Sequence, residues 1–356
     1  MKPLPGHHRG AGWRHLTKIF SSLVLTGVVV GSLNAAPDYQ VIARHLIGGD
    51  ASSYDYLRVD AESRRLYVAH EKRFEVLDAD TGQMIGEIGP VSRAHGVALA
   101  PLSGHGFASS GIDDLIIMFD LRTLRKLKEF KSSGSNPDSI EYDPASNRVY
   151  AANHGSGEVT AIDPDSGEIV GTIKVGGKLE GLAFDGRGLG YANAEDLSAI
   201  QVFDTKTLTA KATWLVAPGE GGTGLAVDAV HHRLFSACAN KLVAVLDSDS
   251  GKLITTASSG EDPDGLAFDP TTGRLFASNP DGTISIIQQD TPDHYTSLPP
   301  VTTALGARTI ALDPKSGRVI TAAPKFGPKP ATVKGGGKPR APILPGTFEV
   351  IVVGVK

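Results

Sequence analysis

Residues 265–279 read GLAFDPTTGRLFASN, and this stretch decides the fold. An apolar run ends at Asp269, a tight turn closes at Gly273 and a second apolar run returns, which is typical of a β-hairpin. A second hairpin pattern precedes it, with LVAVLD at residues 242–247 and KLITTA at residues 252–257. Two such hairpins in succession predict a unit of four strands.

This unit occurs seven times along the chain. Its first Asp, replaced by Ala100 in the second copy, recurs at steps of 40, 43, 42, 43, 41 and 44 residues. The seven anchor positions are Asp60, Ala100, Asp143, Asp185, Asp228, Asp269 and Asp313. A period in the 40s with several short strands per unit is typical of four-stranded propeller blades. The sequence therefore predicts an all-β, seven-bladed β-propeller.

The last copy lacks a fourth strand, because the chain ends soon after the apolar run FEVIVVG at residues 348–354. The segment YQVIARHLIG at residues 39–48 precedes the first copy and resembles the fourth strands of the others. We expect it to complete the last blade and close the ring, since closure removes open sheet edges.

The amino terminus has the composition of a signal peptide. In residues 1–36, four basic residues flank or precede the apolar run from Ile19 to Val30, and no acidic residue occurs before Asp38. An uncleaved anchor is the alternative. No later run approaches membrane length, so we expect residues 37–356 to form a single propeller domain that is periplasmic or secreted.

Charge and cysteine content exclude several classes of protein. The formal net charge is −4, and it becomes −8 without the four basic residues of the leader. Such a charge disfavours non-specific nucleic-acid binding. Cys238 is the only cysteine, so the fold has no internal disulfide and no thiolate metal cluster. A lone Cys is more often a small packed residue than a nucleophile.

Three stretches resemble a known family of propellers. They read NPDSIEYDPASNRVYAAN (136–153), GLAVDAVHHRLFSACANKLVAVLDSDSGK (224–252) and GARTIALDPKSGRV (306–319), and they resemble the YVTN-repeat family in its YncE-like branch. The matching strands here read LYVA, VYAA and LFAS. The resemblance implies a secreted or periplasmic seven-bladed propeller, and it implies no particular reaction.

Strand direction predicts which residues share a face of the ring. Turns inside the hairpins fall on one face, the lower face, where Asp–Arg pairs such as Asp313 and Arg318 are expected to clamp the turns. Loops that enter the first strand, and those between second and third strands, fall on the upper face. Five residues before each anchor, a polar residue opens the innermost strand in all seven copies. This channel-mouth ring consists of Asp55, His95, Asp138, Glu180, Thr223, Asp264 and Arg308.

The ring residues suggest a binding site. Asp55, Asp138, Glu180 and Asp264 are candidate ligands for a divalent cation such as Ca²⁺, and the ring could instead hold a polar ligand. Arg308 is expected to pair with a carboxylate of a ligand, or with Asp55 or Asp264. The competing interpretation is that these Asp residues cap turns, because SNPDS and EDPDG are ordinary turn sequences.

A second set of upper-face positions is weaker and mixed in chemistry. It consists of Asn153, His154, Glu195, Cys238 and Asn279. Residues 324–347 are the most unusual segment, with six Pro, five Gly and five basic residues among 24. We expect this flexible segment to cross the upper face between the second and third strands of the last blade. It is a candidate lid or docking arm, or a plain linker.

Two functions remain after the motif search. The sequence lacks G-x-S-x-G, H-E-x-x-H, a P-loop and C-x-x-C-H, so serine hydrolase, zincin, nucleotide and c-type haem chemistry have no support. The first hypothesis is an exported, non-enzymatic propeller that binds a small polar ligand or an unidentified periplasmic protein at its upper mouth. The second is a metal-dependent hydrolase of the lactonase type, in which the cation activates water and His95 or a carboxylate transfers the proton.

Overall fold

The computed structural model describes residues 38–49, 53–329 and 341–356. The predicted signal peptide, residues 1–36, lies outside these residues, and so do residues 330–340 at the centre of the Pro/Gly/Lys-rich segment. No helix among the described residues is long and apolar enough to cross a membrane.

The described strands form seven antiparallel sheets of four strands each, which confirms the predicted all-β, seven-bladed propeller. Blades 1 and 2 contain β2 (Tyr54–Asp60), β3 (Arg65–His70), β4 (Arg73–Asp78), β5 (Met84–Ile88), β6 (Ala94–Ala100), β7 (His105–Ser110), β8 (Leu115–Asp120) and β9 (Lys126–Lys131). Blades 3 and 4 contain β10 (Pro137–Asp143), β11 (Arg148–Asn153), β12 (Glu158–Ile162), β13 (Ile169–Lys174), β14 (Leu179–Phe184), β15 (Leu189–Ala194), β16 (Ala199–Asp204) and β17 (Thr209–Leu215).

Blades 5 to 7 complete the ring. Blades 5 and 6 contain β18 (Gly222–Asp228), β19 (Arg233–Cys238), β20 (Leu242–Asp247), β21 (Leu253–Ser258), β22 (Gly265–Asp269), β23 (Arg274–Asn279), β24 (Thr283–Thr291) and β25 (His294–Thr302). Blade 7 contains β26 (Ile310–Asp313), β27 (Arg318–Ala323), β28 (Glu349–Val355) and β1 (Tyr39–Leu46). β1 pairs with β28, Tyr39 opposite Val355 and Leu46 opposite Glu349. The predicted closure by the amino-terminal strand is therefore confirmed.

The hydrophobic core is divided among the blade interfaces. Each of seven buried clusters joins two neighbouring blades. Between blades 1 and 2, the ring centroids of Tyr67 and Phe119 lie 6.0 Å apart. Between blades 7 and 1, the ring centroids of Phe348 and Tyr54 lie 5.5 Å apart. Every central strand thus buries side chains on both faces, which explains why the strands are apolar at both parities.

Small residues let the innermost strands approach one another near the axis. A Cβ added at Gly181 would lie 2.7 Å from the Thr223 carbonyl oxygen, and one at Gly224 would lie 2.7 Å from the Leu266 nitrogen. Gly265 meets the next backbone at the same distance. Backbone atoms this close leave no room for a methyl group, so glycine is required by the approach of the neighbouring blade.

Side chains in the lower-face turns connect neighbouring blades. Anchor Asp residues do cap their own turns: Asp313 Oδ1 accepts the Lys315 backbone N–H at 3.1 Å. The predicted clamp between Asp313 and Arg318 is not formed. Asp313 is instead bound by Arg64 of blade 1 at 2.8 Å, because an arginine in these turns reaches the neighbouring blade.

The Pro/Gly/Lys-rich segment connects β27 to β28, as expected, and its two described ends meet. Phe326 and Ile343 form an isolated antiparallel bridge, and the Gly327 N–H donates to the Pro342 carbonyl at 2.8 Å. The Gly346 N–H donates to the Gly49 carbonyl at 2.7 Å, which ties the segment to the chain after β1.

We predict that Gly224→Ala destabilises the ring by about 1–3 kcal/mol, because the added methyl group overpacks against backbone that cannot move aside. Chemical denaturation measures the effect. Gly86→Ala is the matched control, since the only atom near its added Cβ is the mobile Leu124 methyl at 2.9 Å. Equal stability of the two variants would contradict the role given to the axial glycines.

Candidate functional site

The upper mouth of the channel contains a polar cavity of about 190 Å³. Six of the seven predicted ring residues line it, each from a different blade, at or just before the start of its innermost strand. The lining residues are Asp55, Arg93, His95, Asn136, Asp138, His154, Glu180, Asp264 and Arg308. The exception is Thr223, which turns aside and donates its hydroxyl to the Pro263 carbonyl at 2.5 Å.

Side chains from neighbouring strands hold the ring backbone in place. The Ser109 hydroxyl of blade 2 donates to the Asp138 carbonyl at 2.6 Å, and the Thr309 hydroxyl donates to the Asp55 carbonyl at 2.8 Å. Such bonds satisfy backbone groups at the sheet edge. The ring side chains therefore project from backbone that is fixed across the blade boundaries.

His95 lies between two carboxylates. Its Nδ1 is 2.6 Å from Asp55 Oδ2 and 3.4 Å from Asp138 Oδ1. Burial alone would lower the pKa of His95, but the Asp55 hydrogen bond and the Asp138 charge outweigh burial and raise it. Burial raises the pKa of Asp138 far above its usual value, and the charges of Asp55 and Glu180 raise it further. The cluster therefore favours holding protons, or another positive charge, among these side chains.

A second histidine contact lies beside the first. His154 Nδ1 is 2.9 Å from Glu180 Oε1 at an angle outside hydrogen-bond geometry, and the contact raises the pKa of His154. Below them, the Tyr56 hydroxyl donates to Glu180 Oε2 at 3.5 Å. Burial raises the pKa of Tyr56 well above its usual value, and the charges of Asp138 and Glu180 add to this effect. Tyr56 is thus a neutral hydrogen-bond donor at the base of the mouth.

Arg308 neutralises the opposite side of the mouth. Its Nη1 donates to Asp264 Oδ2 at 2.6 Å, its Nη2 lies 3.8 Å from Asp55 Oδ1, and its guanidinium sits over the Tyr54 ring at 5.6 Å. Burial raises the pKa of Asp264 to about 7 against the effect of Arg308. Asp264 is engaged by this ion pair and is a poorer candidate for a metal ligand than expected.

The second predicted set is mostly buried. Asn153, Cys238 and Asn279 have no exposed surface, and Asn153 Nδ2 donates to the Glu158 carbonyl at 2.9 Å inside its own blade. These three residues stabilise turns or pack in the core, as the sequence favoured for Cys238, and their side chains do not reach the mouth surface. His154 does line the mouth, and Glu195 is exposed at the start of a short 3₁₀ turn, Glu195–Leu197.

Two mouth residues escaped the sequence analysis. Arg93 and Asn136 line the cavity, and each precedes a ring residue by two positions in the loop that enters the innermost strand. The loops differ in length between copies, so these positions do not stand out when the loops are compared. Counting back two positions from the ring residues His95 and Asp138 would have identified them.

Two groups of mouth residues have the donor atoms of a metal site, and they share Asp138. Among the described residues, the ligand atoms within each group all lie within 4.8 Å of one another. The groups are Asp55, His95 and Asp138, and Asp138, His154 and Glu180. The sequence predicted four carboxylates as the ligands of a cation. In the structure, each group instead combines a histidine with carboxylates, and Asp264 is paired with Arg308.

Comparison with known proteins defines the class of the chain. No protein-family model matches it, and no curated protein matches it. The YVTN-repeat, YncE-like assignment therefore stays a prediction. Solved structures do match, and they establish a seven-bladed β-propeller with neighbours of WD40 type.

Three of these structures illustrate the likeness. The RRP9 WD40 repeats align with a TM-score of 0.73 at 10% identity, over 89% of this chain and 100% of that chain. A chain of a mitotic checkpoint complex gives 0.71 at 14% identity, over 86% of this chain and 96% of that chain. Kuenenia stuttgartiensis hydrazine synthase gives 0.66 at 16% identity, over 78% of this chain and 92% of that chain. Identities this low relate the folds alone.

We predict that Asp138→Asn becomes more stable than the parent protein as the pH rises. The folded-state pKa of Asp138 is raised from its usual 3.8. The protonated carboxyl group therefore makes its full contribution to the free energy of unfolding below about pH 4, and this contribution is lost as the pH rises through the raised pKa. The amide does not ionise. Thermal unfolding in EDTA between about pH 5 and 9 should show the difference grow with pH.

The control for this measurement is Asp80→Asn on the lower face. Its carboxylate is exposed, and the hydrogen bond from Arg64 lowers its pKa, so neither partner changes its ionisation in that pH range. Its unfolding curve should run parallel to that of the parent. An Asp138→Asn curve that also ran parallel would contradict the raised pKa.

Proposed function

We propose that this chain is an exported, non-enzymatic β-propeller that binds a polar ligand, or a polar group of a protein partner, at its upper mouth. One observation carries the proposal: Asp138 is only 8% exposed and lines the cavity, and the one ion-pair contact of its carboxylate among the described residues is with His95 Nδ1, at 3.4 Å. A poorly paired buried carboxylate costs free energy. A ligand that supplies a donor or a positive charge removes that cost.

The fold favours recognition as the role of the mouth. A rigid ring presents loops from seven blades on one face, and binding residues concentrate on loops held by a rigid scaffold. The matching chain of the mitotic checkpoint complex belongs to a protein assembly. By analogy, we propose an unidentified periplasmic protein or a small polar ligand as the partner.

The amino-terminal composition supports export. Residues 1–36 contain four basic residues, a short apolar run and no acidic residue, as secretory leaders do. The remaining chain has a formal charge of −8, which disfavours nucleic acid as the ligand.

Affinity capture from a periplasmic extract tests the binding role. The parent protein should retain a specific partner or small molecule, and Asp138→Asn/Glu180→Gln should lose at least about 90% of it, since removing charged groups at a buried contact costs several kcal/mol. The control variant Glu168→Gln/Asp249→Asn also removes two negative charges, but from exposed sites on the lower face, and it should retain binding. Retention by the mouth variant would reject the mouth as the binding site.

A metal-dependent hydrolase of the lactonase type is the second candidate, favoured by the two histidine–carboxylate groups that share Asp138. A cation there would lower the pKa of a bound water. The resulting hydroxide would add to the carbonyl carbon of an ester or lactone, the bond to the ring or leaving oxygen would break, and that oxygen would take up a proton.

Turnover separates the two candidates. We expect no hydrolysis when the parent protein is assayed by pH-stat with esters and lactones and added Zn²⁺, Mn²⁺ or Ca²⁺. Cation-dependent turnover that disappears in Asp138→Asn and persists in Glu168→Gln/Asp249→Asn would establish the hydrolase and reject the non-enzymatic role.

A further inference from the structure

We propose that the mouth binds one divalent first-row transition-metal ion, with Zn²⁺ as the reference case, through Asp55, His95 and Asp138. This inference rests on the proposed function, because it names the chemistry with which the same mouth takes its ligand. The three residues come from three successive blades and occupy equivalent positions in β2, β6 and β10. All three are buried, and their ligand atoms lie within 4.8 Å of one another.

Of the two distances around His95 Nδ1, the one to Asp138 matches the spacing of ligand atoms around a metal, and the one to Asp55 is a direct hydrogen bond that a metal ion would replace. Asp55 Oδ2 is 2.6 Å and Asp138 Oδ1 is 3.4 Å from this nitrogen. Zinc bonds of about 2.0–2.1 Å separate tetrahedral ligands by about 3.4 Å and octahedral neighbours by about 2.9 Å. A proton on Nδ1 can be shared with one carboxylate at a time. A divalent ion in its place bonds to the nitrogen and to both carboxylates.

Asp138 gives evidence that is independent of the clustering. The residue is only 8% exposed, and the one ion-pair contact of its carboxylate among the described residues is with His95 Nδ1, at 3.4 Å. Removing a carboxylate from water is costly unless it is well paired; His95 gives Asp138 one long contact, and coordination of a metal ion would add a direct bond.

The second ring nitrogen of His95, Nε2, is placed to donate a hydrogen bond to a group outside the metal ligands, as metal-bound histidines do. Nε2 is buried and has no hydrogen-bond partner among the described residues. A Cβ on Gly111 would lie 2.5 Å from Nε2 and 2.2 Å from Asn136 Oδ1, so glycine keeps both atoms beside one small gap. Metal-bound histidines donate their other N–H to a carbonyl, a carboxylate or a water. The Asn136 amide oxygen, directly or through a water, is the acceptor available for Nε2–H.

The donor set selects the kind of metal. Ca²⁺ takes six to eight oxygen ligands, whereas imidazole nitrogen suits Zn²⁺ and its neighbours in the first row. Arg308 holds Asp264 at 2.6 Å, and His154 contacts Glu180 at 2.9 Å, so an all-carboxylate calcium shell is not assembled. Two carboxylates around His95 balance the charge of one divalent ion.

Calorimetric titration of the chelator-stripped protein with Zn²⁺ tests the proposal, with Co²⁺ absorption as a second readout of nitrogen and oxygen ligation. We expect one equivalent of Zn²⁺ to bind. Affinity should fall more than about 100-fold in His95→Gln and in Asp138→Asn, because even outer partners of a metal contribute 10–100-fold. Thermal unfolding without metal confirms that each variant is folded.

The matched control addresses adventitious binding by surface histidines. His231 and His232 contact Asp228 and Asp249 on the lower face, with side chains that are 49% and 40% exposed, so His231→Gln/His232→Gln should leave the Zn²⁺ affinity of the mouth unchanged. Loss of binding in this control, equal affinity in the parent and Asp138→Asn, or preference for Ca²⁺ over Zn²⁺ would overturn the metal site.

The test also separates this inference from the proposed function. Zn²⁺ binding with a partner that is captured equally by the parent and the mouth variant would support the metal and reject the mouth as the recognition site. Partner loss in Asp138→Asn/Glu180→Gln without any Zn²⁺ binding would overturn the metal and leave the binding role intact.

Discussion

The close approach of neighbouring innermost strands is the constraint on which the other features depend. Gly181 and Gly224 face the next backbone at distances that exclude a side chain, so seven strands converge on a narrow axis. This convergence brings residues some 40 positions apart in sequence into one ring at the upper mouth. It also forces the ring residues into burial, since Asp55 and Asp138 each keep only 8% of their surface. The geometry of the fold and the unusual electrostatics of the mouth therefore have one cause.

Two buried carboxylates, Asp55 and Asp138, and two half-buried ones, Glu180 and Asp264, share one mouth, and the structure compensates their charges unevenly. Arg308 satisfies Asp264 at 2.6 Å, and His95 satisfies Asp55 at 2.6 Å. Asp138 obtains only a longer contact with the same histidine. Buried charges are ordinarily paired and hydrogen-bonded, so the incomplete pairing is concentrated at one residue. That residue belongs to both histidine–carboxylate groups, which makes it the natural point for an incoming ligand to contact.

The fold could be predicted almost completely from the sequence, because strand periodicity and anchor Asp residues are local signals repeated seven times. The ring could be predicted to six of its seven members for the same reason. Contacts between blades could not be predicted: Asp313 pairs with Arg64 of another repeat, although Arg318 lies opposite it in the strand register. The burial of Asn153 also escaped prediction, because a turn-capping amide and an exposed binding amide look alike in a sequence.

Departures from the repeat identify where the channel is specialised. Tyr56 stands where most copies have Gly, Ser or Thr, and Arg58 and Glu141 stand where the others have Ala. All three line a second cavity of about 510 Å³ below the mouth; Arg58 binds Glu141 across it, and the Tyr56 hydroxyl reaches up to Glu180. Large side chains at positions that otherwise carry small ones narrow the channel between the mouth and this second cavity. The mouth therefore has a base of its own, as a ligand site requires and an open water channel does not.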